Sequence, residues 1–488
     1  MADITRNTSI NITKLKLTNY KTQTSISLIY IFTDFHIYAS IDNACLTGSI
    51  TIQEKRNNLI SLLPIAGYEY LEIEFEIVKK SQQSSNTQKE VPNKFAGTFF
   101  ITSVTDLVAS GESRKFTMNF VSALGIVNPD TRICRAYPSE SDKKEYKCED
   151  ILKDIKNIIE SPDSNNEIFK NIYANGTFNS ERKKSEFLQY STDTFVDTIF
   201  NYKIVVPSWK PIALISYIIK YAVSKKNNEI LNDNNQFADC VFYENMKQIH
   251  EFNSYWNMFN TQLEHKASGS SAKINLVQQV TNVKSDSLEP LYNIEAWDMP
   301  NIFDIQNQKM SGLTGNTWYI SNFLDYNAEP INITTNNIQG IIQKYFEEFN
   351  DEIVYCPYDS LKNTTNGIYN LDICGINAES DENYYRDFIA PHLRANSIVQ
   401  YLRNATINIK TNPTTDLDIG RYVHLSIAEP LQYNTNFSNN KIQSFLDKTR
   451  WVVSALAYHI YSNMTMEVDL SCFTPYLNRY YDGKTFGV

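Results

Sequence analysis

Met464-Thr465-Met466-Glu467-Val468-Asp469-Leu470 alternates apolar and polar side chains without a break. That period of two puts one set of side chains on a core and the other in water, the signature of a strand on a half-buried sheet. The same period runs near the other end of the chain, in Leu71-Glu72-Ile73-Glu74-Phe75-Glu76-Ile77, whose acids Glu72, Glu74 and Glu76 should face water. Phe116-Thr117-Met118-Asn119-Phe120, Ala405 to Lys410 and Val423-His424-Leu425-Ser426-Ile427 carry it again. The chain holds 31 Tyr and 26 Phe, residues that fit pleated surfaces, so β structure is expected to dominate.

The two ends also match in order. Pro64-Ile65-Ala66-Gly67 leads into Leu71-Glu72-Ile73, and Leu417-Asp418-Ile419-Gly420 leads into Val423-His424-Leu425. Downstream, Phe100-Ile101-Thr102-Ser103-Val104 matches Trp451-Val452-Val453-Ser454-Ala455, and the alternating run Thr117 to Ser122 then matches Thr465 to Ser471. A glycine turn, a strand, a polar loop, a strand and a last alternating strand thus occur twice. The fold expected is mainly β: two similar small β-barrels joined by a mixed α+β middle region. Three copies of such a chain would set six similar modules in a ring, letting a threefold object match a sixfold one.

At 488 residues the chain has room for three or four domains. The first barrel is expected over 1–126, an α+β insertion over 127–270, a mixed insert able to lend strands to the second barrel over 271–392, that barrel over 393–475, and a tail over 476–488. In the middle, Ile151, Leu152, Ile155, Ile158 and Ile159 fall at helical spacing between Glu149 and Glu160, with Pro162 as the stop. A second helix should open at Pro211, where a missing N–H costs nothing. Val241-Phe242-Tyr243 and Ile249-His250-Glu251-Phe252 read as strands about a polar turn, Lys79 to Lys94 as a solvated hairpin loop, and Gly269-Ser270-Ser271 as a loop.

Net charge is −10, and the cations are scattered. A stable grip on nucleic acid needs clustered cations to displace counterions, so none is expected; an acidic surface suits DNA that passes without sticking. Seven cysteines without a CxxC argue for reduced thiols and assembly in a cytoplasm. Met1 to Asn19 lacks the apolar core of a signal peptide, and Pro211 to Val223 is too short for a bilayer, so no membrane insertion is expected.

Several motifs resemble those of the baseplate hub proteins of T-even-type contractile phages, whose tube-like domains are shared with VgrG-type hubs of secretion systems. They are Ala44-Cys45-Leu46-Thr47-Gly48-Ser49-Ile50-Thr51-Ile52 running on to Leu62-Leu63-Pro64-Ile65-Ala66-Gly67-Tyr68-Glu69, the helix start Val206-Pro207-Ser208-Trp209-Lys210-Pro211, Phe242-Tyr243-Glu244-Asn245 with His250-Glu251-Phe252-Asn253-Ser254, and the run Leu417 to Leu470 with His459. The resemblance spans about residues 10 to 475, though little is familiar between Tyr326 and Leu393. It implies a homotrimer in the virion's tail baseplate, seated between the tail tube protein and the central spike protein and touching the surrounding baseplate wedge proteins.

The search for chemistry yields little. His250-Glu251 does not open an HExxH, because position 254 is Ser. The histidines at 36, 250, 265, 392, 424 and 459 show no ligand spacing, and packing or solvent accounts for His424 and His459, so no metal and no cofactor is expected. Asp416-Leu417-Asp418-Ile419-Gly420 starts like a calcium loop, but Ile427 stands where the twelfth-position Glu belongs, leaving a turn whose Gly adopts positive φ. No GxSxG, Walker loop or GxGxxG occurs, and no catalytic residue is nominated. The rival to a structural subunit is a tail-associated peptidoglycan hydrolase with a catalytic insert between 127 and 392. Candidate interface residues are the acidic strand face Glu72, Glu74 and Glu76, and the aromatic tail residues Tyr480, Tyr481 and Phe486.

Overall fold

Alternation in the first part of the chain becomes seven strands: β1 Thr8–Asn19, β2 Ser25–Ser27, β3 Phe32–Ser40, β4 Thr47–Lys55, β5 Glu69–Lys79, β6 Asn93–Ser110 and β7 Ser113–Val121. The computed structural model describes residues 8–55, 69–79, 93–138, 145–161, 186–278 (less 233–234 and 268–269), 292–301, 389–427 and 449–475, with short pieces at 65, 67, 171–172, 177, 316–320, 331–335 and 338–349. The middle contributes β8 Ile133–Tyr137, β9 Ile204–Trp209, β10 Cys240–Glu244, β11 His250–Ser254, β12 Glu264–Ala267 and β13 Ser270–Lys273. Then come β14 Asn275–Val277, β15 Ile294–Asn301, β16 Asn316–Ile320, β17 Ile331–Thr335, β18 Ala405–Thr411, β19 Tyr422–Ser426, β20 Trp451–Tyr461 and β21 Met466–Thr474. The chain is mainly β.

One 13-stranded sheet runs β15-β18-β21-β20-β3-β4-β7-β6-β5-β1-β2, with β19 on the first residues of β20 and β14 on β19. Cut between β20 and β3, it falls into two groups of the same strand order. The first reads β3-β4-β7-β6-β5-β1 and the last β15-β18-β21-β20-β19-β14. Irregularities repeat too. The ladder β6–β7 slips between Ile101 and Ser103, and β20–β21 slips between Val453 and Ala455. The ladder β3–β4 slips between Phe32 and Asp34, and β15–β18 between Ile294 and Ala296. Bulges at matched places in two ladders are features of a shared design, since each re-aims its strand. The outermost pair differs: β1 runs antiparallel to β5, whereas β14 runs parallel to β19.

The bulges also correct the sequence alignment. Laying Ile101 on Val453 lays Phe99, not Phe100, on Trp451, and Leu71 on Val423 through their pairing with those residues. On the last strand it lays Phe120 on Cys472, so Thr117 matches Asp469 rather than Thr465. The four-residue slip at Thr117 keeps the alternation in phase, and the one-residue slip at Phe100 falls where Phe99-Phe100-Ile101 and Trp451-Val452-Val453 are apolar throughout, so the side-chain pattern fixed neither register.

Among the described residues neither group closes into a barrel. The sheet curls instead: Phe35 on β3 lies 6.3 Å from Phe75 on β5, across three intervening strands. One apolar core runs through both groups, and the outer half of β20 lies on the first group, with the Tyr458 ring 6.4 Å from Phe75 and 5.9 Å from Phe95. A second core forms in the middle of the chain. The helix Cys148–Glu160 buries Ile151, Leu152, Ile155 and Ile159, and the helix Pro211–Ile219 buries Leu214, Ile215 and Ile218. The hairpin β10–β11 forms where the two apolar runs predicted it. Ser270 and Ser271, read as loop, open β13 opposite Ala267 and Lys266, because a backbone ladder needs no bulky side chains. Most of the Lys79–Lys94 loop, Pro162 and the tail lie outside the described residues.

The hairpin β10–β11 is wedged between the groups and held to both by buried polar contacts. Glu244 accepts hydrogen bonds from the Leu46 N–H (2.9 Å) and the Ser122 hydroxyl, and the Gln248 amide exchanges two with the Thr98 backbone (2.9 and 3.2 Å). On the other side, the Met246 N–H donates to Asp418 (3.2 Å). Gly420, at φ +74, leaves Tyr243 no room to spare: a Cβ there would meet the phenol oxygen at 1.8 Å.

Candidate interface edges and the joint between strand groups

The joint between the groups is a seven-residue ladder, β3 to β20, running from Ser40 opposite Ala455 to Asp34 opposite Tyr461. Alternation sends Phe35, Ile37 and Ala39 inward with Leu456, Tyr458 and Ile460, all buried. His36, Tyr38, His459 and Tyr461 occupy the outward face, all partly exposed.

The strands matching β20 and β3 in the opposite groups are β6 and β15, and among the described residues each keeps an open edge. β6 pairs with β5 only as far as Phe100; from Ser103 to Ser110 it has β7 alone. β15 pairs with β18 and nothing else in the sheet path. Burial separates the matched residues. Leu456 is 1% exposed while its match Val104 is 38% exposed, and Phe35 is 0% exposed while its match Trp297 is 38% exposed. Leu107 and Val108 are exposed on the same edge. Exposed strand edges lined with large apolar side chains are templates for pairing with another chain.

The acidic strand nominated from sequence is placed otherwise. β5 is an interior strand between β1 and β6. Glu72, expected in water, is buried and accepts from Lys14 Nζ (2.6 Å) and the Thr177 hydroxyl (3.0 Å). The reason is the neighbouring strand: β1 sets Lys16 opposite Glu72 and Lys14 opposite Glu74, so cations cover the acids. Glu74 pairs with Lys94, and both it and Glu76 are partly exposed. Tyr480, Tyr481 and Phe486 lie outside the described residues. Cys45, Cys148, Cys240 and Cys472 are free and buried, and Cys134 is free and exposed.

A cleft of about 1020 Å³ opens where β11 meets the turn before β19, lined among others by Asn245, Glu251, Asn253, Asp418 and Arg421. Glu251 is buried and fully engaged, accepting from the Tyr243 hydroxyl (2.9 Å) and the Asn245 amide (2.8 Å), with Arg421 at 3.5 Å. Burial first, and the Glu251 charge second, push the Asp418 carboxyl up to about 6. Its Oδ1 accepts from the Met246 and Ile419 N–H groups. Carboxylates committed in this way hold the hairpin to the turn.

The joint also carries a pair that sequence spacing hid. His36 and His459, 423 residues apart, are ladder partners whose Nδ1 atoms lie 2.8 Å from each other. Only the pairing of β3 with β20 brings them together.

Solved structures resemble this chain over nearly its whole length. A tail protein from Neisseria meningitidis MC58 aligns with 96% of this chain and 96% of its own, at 10% identity and a TM-score of 0.44. The 43 kDa tail protein of prophage MuSo2 from Shewanella oneidensis aligns with 96% of this chain and 98% of its own, at 9% identity and a TM-score of 0.45. An E. coli type VI secretion component, itself structurally similar to phage tail proteins, aligns with 96% of this chain and 78% of its own, at 6% identity and a TM-score of 0.38. No family model and no curated protein matches the sequence.

Proposed function

We propose that this chain is a structural baseplate hub subunit of a contractile tail, three copies of which close a ring of six similar strand groups between the tail tube and the central spike. What carries the reading is the repeated joint. Within the chain, β3 of one group adds to β20 of the other and buries Phe35 and Leu456. The matching strands β15 and β6 stand at opposite ends of the eight-strand run from β15 to β6, open and apolar. β15 of one copy adding to β6 of the next repeats the internal joint at each boundary, and a head-to-tail contact of this kind closes when the rotation is right. Two groups per chain and three chains give six modules, the number a sixfold tube presents. In this reading the chain works in the virion as an adaptor and not as a catalyst, its inserts and the tail residues Tyr480, Tyr481 and Phe486 meet the baseplate wedge proteins, and the two strand groups are the two tube-like domains.

The internal register transfers to the boundary. It sets Ser110 against Ala296, Ala109 against Trp297 and Val108 against Asp298 of the next copy. Cysteines placed at Ser110 and Ala296 together should therefore oxidise into a covalent trimer, visible on a denaturing gel, while either alone should not. A double-cysteine chain that stays monomeric on the gel, in a protein that light scattering finds monomeric at every concentration, overturns the ring. Clearing of purified peptidoglycan that is lost with Glu251→Gln would instead favour the hydrolase.

A further inference from the structure

We propose that the bulges in β6 and β15 form a matched pair, which fixes the register between neighbouring copies of this chain and makes β6 the strand that β15 accepts. The inference rests on the proposed ring and names what specifies its boundary. The ladder β6–β7 pairs Thr105 with Thr117 and Val108 with Lys115, so three steps along β6 answer two along β7. The ladder β15–β18 pairs Asp298 with Asn408 and Asn301 with Thr406, again three steps against two. Each open edge therefore carries one extra residue. The strands of the joint inside the chain carry none at that level: Ala457 to His459 pair one to one with β21, and His36 to Tyr38 pair one to one with β4.

The two extra residues fall at the same height. Through their partners on β7 and β21, Thr105 and Val108 match Ala457 and His459. Through their partners on β18 and β4, Asn301 and Asp298 match Tyr38 and His36. Inside the chain those matches face each other, Ala457 with Tyr38 and His459 with His36. Carried to the boundary, the same pairing sets Thr105 against Asn301 and Val108 against Asp298 of the next copy, with Asp106-Leu107 opposite Met299-Pro300 between them. An extra residue on one strand alone would slip the rest of the ladder by one and turn every later side chain to the wrong face. One on each strand cancels the slip. The residues suit the bulges: Asp106 sits at φ +56°, which Asp tolerates better than most side chains, and Pro300 has no N–H to offer a regular partner strand. A bulged edge of this kind resists pairing with an ordinary strand. Charge agrees with the pairing. Exposed Lys115 stands opposite Val108 in the β6–β7 ladder, and Val108 meets exposed Asp298, so a cation and an acid share one face two strands apart.

The test places cysteine pairs in the full-length chain on both sides of the bulges: Ser110→Cys with Ala296→Cys on one side, Thr105→Cys with Asn301→Cys on the other. Each pair, oxidised in its own variant, should give the covalent trimer, because matched bulges keep both ends of the ladder in register. Removing Asp106 should abolish one of the two cross-links, and removing Asp106 and Pro300 together should restore it. The first arm removes no residue, so it stands even if a shortened chain fails to fold. A trimer by light scattering in which the Thr105–Asn301 pair stays unlinked overturns the matched register and leaves the ring intact. So does a doubly shortened trimer that links no better than the singly shortened one. A wild-type chain that stays monomeric at every concentration overturns the ring, and the matched register with it.

Discussion

Leu456 and Val104 occupy the same place in two copies of one strand pattern, yet one is sealed and the other is open to water. The strands around them do not differ enough to explain this: each faces a buried residue on its partner strand, Leu470 and Met118. What differs is the neighbour. The hairpin β20–β21 leans on the first strand group of the same chain, whereas no described strand lies on the outer part of β6 beyond β7. A repeated fold thus displays, in its first copy, a contact that its second copy has already made. In the proposed ring, this contrast is what points to the β6 edge as the place where the next copy adds.

The contrast is sharpest in stability measurements on the dilute, unassembled chain. Leu456→Ala should cost about 2–5 kcal/mol and Tyr458→Ala about 3–5 kcal/mol in urea unfolding, because both leave cavities in a shared core. Val104→Ala should stay within about 0.5 kcal/mol of wild type under the same conditions. Val104→Asp should leave the dilute chain folded but abolish the proposed trimer. Equal losses for Leu456→Ala and Val104→Ala would show that the β6 hairpin is already covered, and the comparison would fail.

The turns that enter β5 and β19 offer a second pair. Gly67 and Gly420 both hold positive φ, +87° and +74°, as the sequence reading of a glycine turn requires. Space around them differs: a Cβ at Gly67 meets nothing, while one at Gly420 collides with Tyr243. Gly67→Ala should therefore cost only the backbone strain, about 1 kcal/mol. Gly420→Ala should cost about 3 kcal/mol, strain plus overpacking, and Tyr243→Phe in the same chain should restore part of it. Thermal unfolding of the three variants checks the order; similar losses for the two glycines would mean that Tyr243 swings aside freely.

Much of this was legible in the sequence, and the rest was not, for reasons that lie in particular residues. The strands β5, β7, β18, β19 and β21 show in their alternation, and the hairpin β10–β11 in its two apolar runs. The repeat showed as well, but one residue out of register at Phe100, where both matched runs are apolar throughout, and four out at Thr117, because an even slip leaves a period-two pattern unchanged. Glu72 read as a solvated acid because nothing in its own strand reveals that Lys14 and Lys16 lie on the next one. Openness at Val104 and Trp297 is invisible in sequence, since each residue is as apolar as its buried match. The pairing of His36 with His459 needs a contact between the two ends of the chain.

A pH-dependent effect belongs to the turn that only the last group pins. Asp418 is buried against Glu251, Arg421 and Lys247, and its carboxyl is held up at about 6, compared with about 3.9 in an unfolded chain. A native state that holds the proton more tightly loses stability as pH rises between those two values. The cost is absent below about pH 4 and complete above about pH 6. Asp418→Asn keeps an oxygen to accept from the Met246 and Ile419 N–H groups and has no charge to bury. Its stability relative to wild type should therefore improve by about 2 kcal/mol as pH is raised from 4 to 7, read from urea midpoints at matched pH. A difference that stays flat across that window would mean that Arg421 neutralises the carboxylate in the folded chain. The hairpin would then be tied to the last strand group by an ion pair, and the two groups would differ at this turn in charge as well as in packing.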